Sequence, residues 1–92
     1  MTEQLIRRHV IVRGQVQGVG FRWSADARAR DLGLAGWVRN RSDGTVEAEI
    51  QGTEEQVDAM LDWLHRGPQF ASVTAVDVSE ATLNSETGFS IR

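Results

Sequence analysis

Ninety-two residues fit a single domain, residues 1–92, burying about 60–65% of the surface its unfolded chain exposes. The 10 basic and 13 acidic residues give a net charge of −3, which argues against a general nucleic-acid binder. With no cysteine, disulfides and thiolate metal sites are excluded; no apolar run approaches the ~20 residues of a membrane span. Met1-Thr2-Glu3-Gln4 starts no secretory leader, so a cytoplasmic setting is expected.

In chain order, Leu5 to Arg13 reads as a strand, β-rich at His9-Val10-Ile11-Val12 and ended by Gly14. Gly14 to Gly20 is a loop with three glycines in seven residues. A helix follows over Arg22 to Leu32, with Phe21, Ala25, Ala29 and Leu32 on one face and Gly33 just beyond its end. Leu34 to Arg41 and Thr45 to Gln51 are strands joined through Ser42-Asp43-Gly44, a hairpin signal. In the second of these, Val46, Ala48 and Ile50 alternate with Thr45, Glu47, Glu49 and Gln51. Thr53-Glu54-Glu55-Gln56 has the form of a capping box, followed by Val57, Met60, Leu61 and Leu64 at helical spacing and by the stop Gly67-Pro68. Ser72 to Glu80 is a fourth strand, and Gly88 to Arg92 fits a short fifth.

The order β-α-β-β-α-β predicts an α+β, ferredoxin-like split βαβ sandwich: an antiparallel sheet, two helices on one face, the other face solvated at Glu47 and Glu49. This fold serves many functions, so function must be argued from a site.

The site candidate is Gly14 to Arg22. Glycines let successive backbone N–H groups converge into a nest, and the following helix start adds unpaired donors and partial positive charge. Arg22 in the first helical turn faces the positive end of the dipole, at a cost of a few tenths of a kcal/mol up to about 1. An anion held between the loop amides and Arg22 would compensate, and a guanidinium fork suits two phosphate oxygens. The other reading is a tight glycine turn with Arg22 pointing into water; the residues alone leave both open. There is no Walker lysine. Asn40, beside a hairpin turn, reads on its own more readily as a turn residue than as a site residue. His9 reads as a strand-surface residue, His65 as a cation suited to a helix end, and Asp26 as a surface partner of Arg22. Trp23, Trp37 and Trp63 read as packing residues.

Two motifs carry a family resemblance. Gly14-Gln15-Val16-Gln17-Gly18-Val19-Gly20-Phe21-Arg22 resembles the acylphosphatase signature G-x-V-Q-G-V-x-F-R. Gly36-Trp37-Val38-Arg39-Asn40, followed by Gly44-Thr45-Val46, is similar to that family's second block, and Phe89-Ser90-Ile91-Arg92 to its close. The resemblance implies a hydrolase that cleaves the carboxyl–phosphate bond of acyl phosphates without metal or cofactor. It implies that Arg22 and the amides of Gln15, Val16, Gln17, Gly18, Val19 and Gly20 hold the phosphoryl group, and that Asn40 positions water. Arg41 stands where some members carry threonine. The expected partners are a small acyl phosphate, with inorganic phosphate or sulfate competing; a monomer is expected, and no nucleic acid or membrane. Two rivals remain: a non-catalytic anion-binding accessory domain, and an RNA-binding domain. The second needs exposed sheet aromatics, and none lies between Leu5 and Arg13.

Overall fold

The structure, a computed structural model, describes residues 4–92. The absence of a leader was read partly from Met1, Thr2 and Glu3, which lie outside that range. The elements are β1 (Leu5–Gln15), α1 (Phe21–Asp31), β2 (Ala35–Asn40), β3 (Val46–Thr53), α2 (Glu54–Arg66), β4 (Ser72–Glu80) and β5 (Phe89–Ile91). They form one sheet in the order β4-β1-β3-β2-β5.

The alternation in β3 works as a core switch. Val46, Ala48 and Ile50 point to the helix side and meet Val10 and Val12 of β1 and Val38 of β2. Phe21, Ala25 and Ala29 of α1 close over them, together with Val57, Met60 and Leu64 of α2. Each fully buried valine, leucine, isoleucine, methionine or phenylalanine of this set contributes about 1.5–3 kcal/mol. α2 begins as its sequence dictates: Thr53 Oγ1 accepts from the Gln56 amide at 3.2 Å, and the Gln56 side chain accepts from the Thr53 amide at 2.8 Å.

Three expectations need correction. First, Gly14 does not end β1. The strand continues to Gln15 through a register shift against β4, and a side chain at Gly14 would meet the Ser72 carbonyl oxygen at 2.1 Å. The glycine is there because two backbones approach closely. Second, the sheet is mixed rather than wholly antiparallel, since β5 pairs β2 in parallel, Gly36 to Phe89 through Val38 to Ile91. The four longer strands are antiparallel, as expected.

Third, the face opposite the helices is not simply solvated. Arg7, Glu47 and Gln51 are buried there. The connection from Ala81 to Gly88 supplies partners across this face. Arg7 donates to Glu49 at 2.6 Å, to Glu86 at 2.9 Å and to Asn84 at 3.3 Å. Glu47 accepts from Arg39 at 2.5 Å and lies 2.6 Å from His9 Nε2. Burial works to raise the Glu47 pKa, but these His9 and Arg39 contacts outweigh it and hold the carboxyl below its ordinary range.

Candidate active site

The loop between β1 and α1 is anchored by Val16, whose side chain is buried in the core. Beyond it Gly18 and Gly20 hold left-handed φ angles of 77° and 74°, the conformation that turns consecutive amides toward one concavity. Among the described residues, no backbone carbonyl outside the regular elements accepts from the amides of residues 16–20. The first helical bond of α1 runs from the Ser24 amide to the Gly20 carbonyl at 3.1 Å. In contrast to α2, α1 starts with no side-chain cap and no acidic residue in its first turn, so its leading amides remain available.

Arg22 is half-buried and, among the described residues, makes no ion pair. Asn40, the last residue of β2, is half-buried as well. Both line one cavity of about 100 Å³ with Gly18 and Gly20, while Val16, Phe21 and Trp23 supply its apolar wall. That volume is several times the ~10–15 Å³ that one water requires. A guanidinium, a carboxamide and a glycine-rich backbone facing one small hollow make it receptive to a compact anion.

The other predicted loop residues are not on the lining. Gln15 pairs with Ser72 in the sheet. Val19 packs against the core. Gln17 turns its side chain the other way, and its Nε2 donates to the carbonyls of Arg41 at 2.7 Å and Thr45 at 2.9 Å. Sequence reading assigned Gln17 only a backbone role; the side-chain bridge depends on two carbonyls brought close by the β2–β3 turn. In that turn Asp43 Oδ1 accepts from the Thr45 hydroxyl at 2.6 Å and amide at 3.0 Å. These bonds hold the Asp43 carboxyl below its ordinary pKa. Arg41, in the place of the family's occasional threonine, lies 3.7 Å from Asp43.

Asp26 does not pair with Arg22; it accepts from Arg30 Nε at 3.0 Å, one helical turn onward. Trp23 is not a packing residue either, for it is 78% exposed at the cavity wall. Trp37 and Trp63 do pack, the first buried and the second against Phe21. His9 and His65 stand off the lining, beside Glu47 and the Leu61 carbonyl.

Fold and pocket together define a small α+β domain with an anion-receptive strand–loop–helix site. The acylphosphatase family model matches residues 8–91. An acylphosphatase of Thermococcus kodakarensis is 50% identical over 86 residues, 94% of each chain. One of Bordetella parapertussis is 63% identical over 65 residues, 71% of this chain and 69% of that one. The crystal structure of acylphosphatase from Bacillus subtilis superposes with a TM-score of 0.92 at 39% identity, covering 97% of this chain and 99% of that one. The chain thus belongs to the acylphosphatase family, and is by that membership a hydrolase acting on acid anhydrides. T. kodakarensis HypF is also similar, at 29% identity and a TM-score of 0.82, over 92% of this chain and 11% of that one.

Proposed function

We propose that this chain hydrolyses the mixed anhydride of small acyl phosphates to a carboxylate and inorganic phosphate, using the cavity between the β1–α1 loop and the end of β2. The observation that carries this reading is the meeting of Arg22 and Asn40 on one lining with Gly18 and Gly20.

The chemistry asks little of the protein. A carboxylate departs as a weak base, so no general acid is required. Phosphoryl transfer runs through a loose transition state whose charge is spread over the phosphoryl oxygens, which makes positioning and electrostatics the main contributions. Arg22 and the loop amides hold those oxygens. Asn40 orients a water for in-line attack; the water oxygen bonds phosphorus as the bond to the carboxylate oxygen breaks, and that electron pair leaves with the carboxylate. Asn40 is no base, so the water proton passes to a phosphoryl oxygen of the substrate. The reaction needs no metal. Inorganic phosphate and sulfate compete for the same amides and guanidinium. The chain works as a cytoplasmic monomer formed of one domain; among the described residues no helix is long and apolar enough to cross a membrane.

The second reading is a non-catalytic anion-binding domain, favoured by the recurrence of this fold as 11% of the longer HypF chain. Acetyl phosphate hydrolysis in the presence of EDTA separates the two. Turnover by the wild type, lost in both Arg22→Ala and Asn40→Ala, supports the enzyme; sulfate binding without turnover supports the accessory domain.

A further inference from the structure

We propose that Trp23 is a specificity-determining residue of this pocket, its indole receiving the acyl portion of the substrate and favouring aromatic acyl phosphates over short aliphatic ones. The inference rests on the reading of the pocket as an acyl phosphate site.

The three tryptophans are in very different situations. Trp63 stacks obliquely on Phe21, with ring centroids 5.5 Å apart. Trp37 is buried under the guanidiniums of Arg39 and Arg92, at 5.5 Å and 4.8 Å from its ring. Trp23 is 78% exposed and, among the described residues, has neither kind of partner. A lone exposed aromatic is ordinary on a protein surface. Phe70, equally exposed at 77%, is such a case, because it is off the cavity lining. Trp23 is on it, one residue beyond Arg22.

The cavity is small, so a phosphoryl group engaged by Arg22 and the loop amides leaves the acyl part at the mouth. Asn40 of β2 presents the water, and in-line displacement sets the departing carboxylate on the opposite side of phosphorus. The rest of the lining belongs to the loop and to α1, and Trp23 is its large exposed apolar side chain. A benzoyl ring laid against an indole removes apolar area from water and gains an aromatic pairing; an acetyl methyl does little of either. Contact with this non-reacting part of the substrate raises kcat/KM for the aromatic member of the pair.

The test compares benzoyl phosphate with acetyl phosphate in wild type, Trp23→Ala and Trp23→Phe. Trp23→Ala should lower kcat/KM for benzoyl phosphate about three- to tenfold and change acetyl phosphate less than twofold. Trp23→Phe should restore most of the preference. Equal losses on both substrates, or no loss on either, would overturn the proposal. A calorimetric arm reads the same contact without turnover: Trp23→Ala should weaken phenylphosphonate by a similar factor while leaving methylphosphonate unchanged. A wild type that binds phenylphosphonate through Trp23 yet hydrolyses neither acyl phosphate would refute the enzymatic reading and uphold the aromatic contact. Equal Kd changes for the two phosphonates would refute the contact itself.

Discussion

Gln17 and Arg41, separated by 24 positions, are joined by one hydrogen bond from the Gln17 side-chain Nε2 to the Arg41 carbonyl at 2.7 Å. The same nitrogen reaches the Thr45 carbonyl at 2.9 Å. The amide group thereby fastens the glycine-rich loop to the turn that follows Asn40, and sets the spacing between the two sides of the proposed site. Gln17→Leu should lower kcat for acetyl phosphate by about tenfold to a hundredfold, as small misplacements at reacting centres do. Gln17→Glu should not rescue it, because a carboxylate has no N–H to give two carbonyls. Steady-state kinetics with both variants checks this; wild-type kcat in Gln17→Leu would show that the bridge is dispensable.

Arg22 is expected to act through its shape as well as its charge. Arg22→Ala should cut turnover about 100-fold or more, the scale for losing a preorganised donor to developing charge. Arg22→Lys should recover only part of this, since a point charge cannot grip two oxygens in a plane. Near-normal kcat/KM in the lysine variant would contradict the role of the fork.

Asn40 is expected to separate catalysis from binding. Asn40→Ala should abolish most turnover and leave the inhibition constant of inorganic phosphate within about twofold of wild type, because water orientation matters only to the reacting complex. A parallel loss of phosphate affinity would assign Asn40 to anion binding instead.

Acid stability should track Glu47. Its carboxyl is held below its ordinary pKa in the folded protein, with the His9 and Arg39 contacts outweighing burial. Such a group stabilises the fold above its unfolded pKa, ordinarily 4.5, and that contribution disappears as pH falls through the lower folded value. Urea unfolding should therefore show Glu47→Gln less stable than wild type at pH 6, with the gap closing as pH drops below about 4.5. A gap that stays constant down to pH 2.5 would dissociate Glu47 from the acid limb.

Arg7 ties the connection between β4 and β5 to the sheet. Replacing it with leucine leaves Glu49 without its cation and Glu86 with Arg92 alone, 3.6 Å away; with both carboxylates partly exposed, the loss should be about 2–3 kcal/mol. Amide exchange should rise first between residues 81 and 88. Unchanged protection there would mean that the segment is held by something other than Arg7.

The sequence was most legible where local chemistry decides. The capping box at Thr53 and Gln56, the alternation of β3 and the span of β4 needed no tertiary information. The meeting of Arg22 with Asn40 was legible through the two motifs. What escaped depended on segments folding back over the sheet. Glu49 looks like a solvated strand residue until Asn84 and Glu86 arrive from 81–88 beside it and engage Arg7. Trp23 looks like core by residue type, but its place in the first turn of α1 turns it outward beside the pocket. Gly14 looks like a strand terminator until β4 presses against it.

The sheet order has a kinetic consequence. β1 lies between β3 and β4, so Arg8 must find both Ile50 and Glu80 before both edges of its strand are satisfied. Contacts of such separation carry a large loop-closure cost before they give anything back, which slows the search for the native state. Regain of hydrolytic turnover after dilution from denaturant should therefore coincide with the slowest spectroscopic phase that reports sheet completion.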